Sequence, residues 1–187
     1  MRPMKSLISL CLGILALSPL ASAMDVAELR KIAAEEHDRT NILPELKIYS
    51  EAREYKVTER MAKPGEPMQA GPEGTVTEKT VRGRFIVNQS VVPGTATSMV
   101  MVVTFDKDQG VFKKWVLLPD GTLQGFTGVG NPDTRSIAWA SDAVEGREAS
   151  RMVGLETHSD EKVVWKHTLI QDGKVMMSGD GVAVKTK

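Results

Sequence analysis

The fold class that this sequence predicts is all-β: an antiparallel, up-and-down barrel of about nine or ten strands behind a short N-terminal helix. Three observations predict it. From residue 75 onward, runs rich in Val, Ile, Thr, Phe and Trp recur at short, near-regular intervals. The segments between them carry Gly, Pro, Asp and Asn, the residues that supply the special φ values of tight turns. These segments are also too short for crossover helices, so consecutive strands run antiparallel. A meander of that length closes on itself to remove its exposed edges.

The first 23 of the 187 residues have the make-up of a secretory signal. Arg2 and Lys5 form a basic start, Leu7 to Leu17 an apolar stretch, and Ala21-Ser22-Ala23 a cleavage site. The apolar stretch is too short to span a bilayer and Pro19 interrupts it. The expected product is an exported chain, periplasmic or secreted, starting at Met24 and carrying no membrane span. The chain has 24 basic and 24 acidic residues, and loss of Arg2 and Lys5 leaves a net charge of −2. That balance offers no footprint for nucleic acid. Cys11, the only cysteine, departs with the signal, so the exported chain has neither a disulfide nor a thiol nucleophile.

Residues 24–44 read as a helix and linker. Asp25 and Glu28 form a capping pair, and Val26, Leu29, Ile32 and Ala33 follow at helical spacing to about Glu36. Pro44 ends any continuation. Residues 45–187 read as the barrel domain. Leu46 to Met61 is expected to be a long first strand with a bend, because its apolar residues switch parity. Lys63 to Gly74, with three Pro and three Gly, is a loop. The strands expected next are 75–82, 83–92, 97–105, 111–118, 122–130, 134–141, 148–158, 163–171 and 174–185. Asp106 to Gly110, Pro119 to Gly121 and Asp172-Gly173 are the clearest turns, the last a two-residue hairpin signal. Asp106 to Gly110 departs from a calcium loop, since Gly falls at position 5 and a strand follows.

Alternation along the strands selects an inner face. Met99, Met101, Val103 and Phe105 form one row, and Val163, Trp165, His167 and Leu169 another. Ile137 with Trp139, Phe85 with Val87, and Lys113 with Trp115 and Leu117 make three more. Lys113 is the unusual member: inside a barrel its ammonium sits at the mouth, or meets an anionic ligand group or a carboxylate such as Glu156. Lys114, Glu59, Lys79 and Lys166 are expected on the solvated outer face, and His158 at a solvated strand end.

The order of short motifs resembles a family of bacterial exported proteins of unknown function with a lipocalin-like, or calycin, β-barrel. The pieces are the Lys63–Gly74 loop, Gly83-Arg84-Phe85, the Val103–Trp115 segment, Gly128 to Asp133, and the strand pair around Asp172-Gly173. The chain has Ile48-Tyr49 where that family often has a Trp near the start of its first strand. The resemblance implies a fold and carries no catalytic residues.

No nucleophile elbow, zinc-protease, phosphate-loop or dinucleotide motif is present in the sequence. Met99, Met101, Met176 and Met177 lie in two separate strands, with Met176 and Met177 on opposite faces, and read as core filling and not as a soft-metal site. No catalytic residue, metal ligand or cofactor is assigned. The expected function is binding of a small, mainly apolar ligand inside the barrel. Its lining is drawn from Met99, Met101, Phe105, Lys113, Trp115, Trp139, Trp165 and His167. The alternatives are an enzyme that uses His167 with a carboxylate, or a filled barrel that acts through its surface. The sequence leaves the oligomeric state open.

Overall fold

Strand-forming runs joined by tight turns leave each chain segment one partner on either side, and the sheet they form meets itself. The computed structural model describes residues 24–49, 53–91, 98–143 and 150–186. The expected signal segment and the Pro93-Gly94 and Glu145-Gly146 turns lie outside the described residues. The strands are β1 (Arg53–Ala62), β2 (Gln69–Ala70), β3 (Gly74–Val81), β4 (Phe85–Val91), β5 (Ser98–Asp106) and β6 (Val111–Leu117). They continue with β7 (Leu123–Asn131), β8 (Ser136–Ser141), β9 (Ser150–His158), β10 (Lys162–Gln171) and β11 (Lys174–Lys185). All pairs are antiparallel in sequence order, and β11 returns to β1 over Tyr55–Lys185 to Ala62–Ser178. Ten strands thus close a barrel, and the short β2 adds to the upper end of β1. β2 falls within the stretch expected to be loop throughout.

The turn chemistry works as its residues require. At the β5–β6 turn, Asp106 Oδ1 accepts from the amides of Asp108 and Gln109, and Gly110 takes φ +67°. This is a hairpin turn. The Asp172-Gly173 turn has positive φ at both residues, 50° and 73°, which is the geometry a two-residue hairpin needs.

The helix, α1 (Val26–Ala34), is capped by Asp25, whose Oδ1 accepts from the Glu28 amide at 2.7 Å. It lies on the outside of the barrel wall and closes neither end. Leu29, Ile32 and Ala33 pack on Val81, Val87, Val102 and Leu117, with Phe85, Trp115 and Leu123 at the margin. Full burial of Leu29 and Ile32 contributes about 1.5–3 kcal/mol each. This cluster overturns two expectations. Phe85 and Val87 face outward under the helix, and so do Trp115 and Leu117; the inner face of β4 carries Ile86 and Asn88 instead. An apolar outer wall looks like an inner face when the covering helix is out of view.

After α1 the chain crosses under the β3–β4 turn. Asp38 N–H donates to Thr80 C=O and Leu43 N–H to Gly83 C=O, each at 2.8 Å. Gly83 has φ +62°, and a Cβ there would run into the Thr40 and Asn41 backbone. Residues 44–48 then form a single 3₁₀ turn started by Pro44, in place of the expected strand extension. This turn plugs the lower end of the barrel. Leu46 and Tyr49 insert fully among Ile86, Val103, Phe112, Phe126, Ile137 and Trp139. Arg135 holds it from outside, donating to Ile48 C=O and to Asp160.

Candidate functional site: the barrel interior

The register places the inward side chains in two tiers. The lower tier lies against the plug and is buried: Ile86, Val103, Phe112, Ile137 and Trp139 are 5% exposed or less. The upper tier, towards the turns at 118–122 and 172–173, contains Met99, Met101, Val116, Met152, His167, Leu169 and Met177. These point inward and are only partly buried. Trp165 is half-buried too, with its indole over Gly181, where any Cβ would overlap the ring. His167 lies over Gly179 in the same way, and Trp139 over Gly128. Inner-face glycines therefore let aromatic rings lie against the neighbouring strand.

Glu59, expected outside, lies on the inner face of β1 opposite Gly181. Its Oε1 accepts from Trp165 Nε1 at 3.3 Å and stands 3.7 Å from His167 Nδ1. The hydrogen bond from Trp165 fixes the orientation of that ring on the wall.

A second polar group sits in the lower tier. Lys114 and Glu156 form an ion pair of 3.1 Å, their side chains only 12% and 11% exposed. The Lys114 ammonium lies 4.1 Å above the Trp139 ring centroid and 5.1 Å from that of Phe126. Glu156 Oε1 is 3.2 Å from His158 Nε2, and the His158 ring meets Tyr49 edge-on at 4.6 Å. Burial pushes the Glu156 carboxyl up, but Lys114 and His158 together outweigh it and hold it well below the usual range. Burial, reinforced by Glu156 and Glu78, drives the Tyr49 phenol well above its ordinary value. Tyr49 stays a neutral phenol.

Of the eight residues expected to line the interior, Met99, Met101, Phe105, Trp139, Trp165 and His167 are on the inner face. Phe105 sits low, edge-on to Phe112 at 5.0 Å. Lys113 and Trp115 are not. Trp115 belongs to the cluster under α1, and Lys113 Nζ donates to Thr127 Oγ1 on the outer wall. The physical reason is the four-residue turn at 107–110, which sets Phe105 opposite Phe112. With Phe105 inside, Phe112, Lys114 and Val116 follow it. Counting across that turn finds Lys114. His158, expected to be solvated, is 5% exposed. Nothing in its local sequence signalled this, because the plug that buries it comes from residues more than a hundred positions away. Tyr49 was missed for the same reason.

The fold and site define a closed, ten-stranded antiparallel β-barrel with a plugged floor, an arrangement consistent with lipocalin-like proteins. No family model matches the chain, and a search of curated proteins finds no match. Among the described residues no helix is long and apolar enough to cross a membrane.

Proposed function

We propose that this is an exported barrel that binds a small, mainly apolar molecule in the upper tier of its interior, without transforming it. The single observation that carries this reading is the split of the inner face. Met99, Met101, Met152, Leu169 and Met177 point inward above a packed floor and are only partly buried. Unbranched thioether side chains adapt to ligands of varied shape, as suits a carrier. The export step rests on residues 1–23 and the sequence resemblance alone.

The test is titration with N-phenyl-1-naphthylamine, a neutral apolar fluorophore. Met101→Trp, which fills the lumen, is expected to weaken binding by about tenfold or more, equivalent to about 1.4 kcal/mol. Trp115→Phe, outside the wall, leaves binding unchanged. Equal losses in both variants would place the fluorophore outside the lumen and overturn the reading.

A second reading, proton transfer by His167 assisted by a carboxylate, has the 3.7 Å approach of Glu59 in its favour. Against it, the same Glu59 oxygen accepts from Trp165, the arrangement of a braced wall. A His167→Ala variant that keeps any measured turnover removes the catalytic reading.

A further inference from the structure

Closure of β11 on β1 brings a histidine and two thioethers together around one glycine. Gly179 of β11 pairs with Met61 of β1 on one side and with His167 of β10 on the other. Residues directly opposite in a sheet share a face, so Met61 and His167 both look inward across Gly179. Met177 precedes Gly179 by two residues, shares its face, and lies about 7 Å along the strand from it. Gly179 has no side chain, and Nε2 and Cε1 of His167 take the space where a Cβ would stand. The imidazole is thereby carried onto β11, one strand spacing of about 4.8 Å from the Met61 backbone. A methionine side chain spans such a gap, and its rotatable bonds let the sulfur turn to a partner. Solvent reaches the group: the His167 side chain is 16% exposed, Met61 is 40% exposed, and Met177 is only partly buried. Sequence spacing hid the cluster, because its members come from three strands far apart in the chain.

The chemistry of these atoms selects the occupant. His167 Nδ1 faces Glu59 Oε1 at 3.7 Å. A ring proton on that side, towards the carboxylate, leaves the lone pair on Nε2, over Gly179. A carboxylate behind the far nitrogen is the usual support of a metal-bound imidazole. One imidazole and two thioethers are neutral, polarisable donors. That set suits Cu(I), whereas Zn(II) favours thiolate, imidazole and carboxylate ligands and Ca(II) or Mg(II) oxygen. Among the described residues no three His, Cys, Asp or Glu side chains gather, so no such hard-donor site competes. Charge agrees: Glu59 supplies one negative charge, which matches a monovalent ion. Arg60, beside Met61, is turned to the outer face and paired with Asp180, so its guanidinium stays out of the cluster.

We infer that His167 Nε2 and the sulfurs of Met61 and Met177 bind a single Cu(I) ion on the inner wall near the barrel mouth, with Glu59 positioning the imidazole from behind. The ion enters and leaves as Cu(I), and no electron is transferred. The site takes one flank of the upper tier and goes beyond the reading of that tier as an apolar pocket, on which it does not depend.

The experiment is titration of the chain spanning residues 24–187 with Cu(I), under anaerobic reducing conditions and in competition with bicinchoninate. A parallel titration uses Ag(I), a redox-inert ion of like softness, and follows the NMR signals of isotope-labelled methionine methyl groups. One equivalent is expected to bind, moving the Met61 and Met177 methyls together and leaving those of Met99 and Met101, on β5, in place. Met61→Leu and Met177→Leu keep the apolar volume, and each is expected to weaken Cu(I) binding by about tenfold or more. Glu59→Gln still accepts from Trp165 but loses the charge behind His167, and is expected to weaken binding by about tenfold. Met24→Leu, in the cluster under α1, leaves it unchanged. Should one of the two leucine variants fail to fold, the other and the methyl shifts decide. Four results would each overturn the site: no saturable binding, shifts spread over the methionines of the whole tier, Zn(II) bound as tightly as Cu(I), or both leucine variants binding like Met24→Leu. Uptake of N-phenyl-1-naphthylamine by the metal-free protein reports separately on the apolar pocket, so failure of one reading is distinguished from failure of the other.

Discussion

Lys114→Met is the most informative single substitution in the lower tier. It removes an ammonium whose side chain is 12% exposed and leaves Glu156, at 11%, with His158 alone. At that burial the pair does not behave as a surface ion pair, worth under about 1 kcal/mol. Stranding one partner of a buried pair costs about 3–5 kcal/mol, and the lost contact with the Trp139 ring adds to it. For a chain of this size the expectation is a fall in Tm of about 10 °C at pH 7. Its pH dependence has a definite sign. In the native protein the Glu156 carboxyl is held below its unfolded value of 4.5, so its contribution is present above that pH and fades as pH falls below it. In the variant the downward pull of Lys114 on the carboxyl is gone while the burial that raises it remains, so this pH-dependent contribution is smaller. The gap between the two proteins therefore narrows from pH 7 to pH 4. Replacing both partners, Lys114→Met with Glu156→Gln, restores most of the loss, because no charge is left stranded. Urea unfolding followed by tryptophan fluorescence at the two pH values is the assay. A gap below about 1 kcal/mol at pH 7, or one unchanged at pH 4, would refute a buried, charged pair.

Three further outcomes follow from the wall and the plug. Leu29→Ala, at a position with no exposure under α1, lowers stability by about 2–5 kcal/mol in chemical denaturation while leaving fluorophore affinity in place. Gly83→Ala must take φ +62° and push its methyl into the Thr40 carbonyl, so it costs more than about 2 kcal/mol. Gly65→Ala, at φ +81° in open space, pays strain alone, about 1 kcal/mol, and thermal melts of the two variants separate these terms. Asp180→Asn breaks a two-pronged but exposed pair with Arg60 and changes Tm by only a few degrees.

Strand positions were legible because they depend on local chemistry: the nine segments expected after residue 74 fall on β3 to β11 with ends shifted by a few residues. The inner face was legible wherever one side of a strand meets water. Met101, Ile137, Trp139, Trp165 and His167 declared themselves by alternation alone. It failed on β4 and β6, where α1 covers the outside. There Phe85, Val87, Trp115 and Leu117 make the outer wall as apolar as the inner one, so hydrophobicity no longer separates them. The charged interior was illegible for a related reason. Lys114 reads as an outer-face residue, and Glu156 as a partner for Lys113, until the register across the 107–110 turn and the pairing of β8 with β9 bring Lys114 and Glu156 together. The plug was missed because Leu46 and Ile48 fit a strand pattern as well as a 3₁₀ turn, and only Pro44 argued for the turn.

The most direct test of the central claim, that the upper tier holds a small apolar ligand, is native mass spectrometry. Chain spanning residues 24–187, purified under gentle conditions from the exported fraction of its own host, is weighed before and after denaturation. The account predicts a reproducible small-molecule adduct that is lost on unfolding and absent from Met101→Trp prepared in the same way. A bare mass in repeated gentle preparations, together with no uptake of N-phenyl-1-naphthylamine, would contradict it and leave a barrel that acts through its surface.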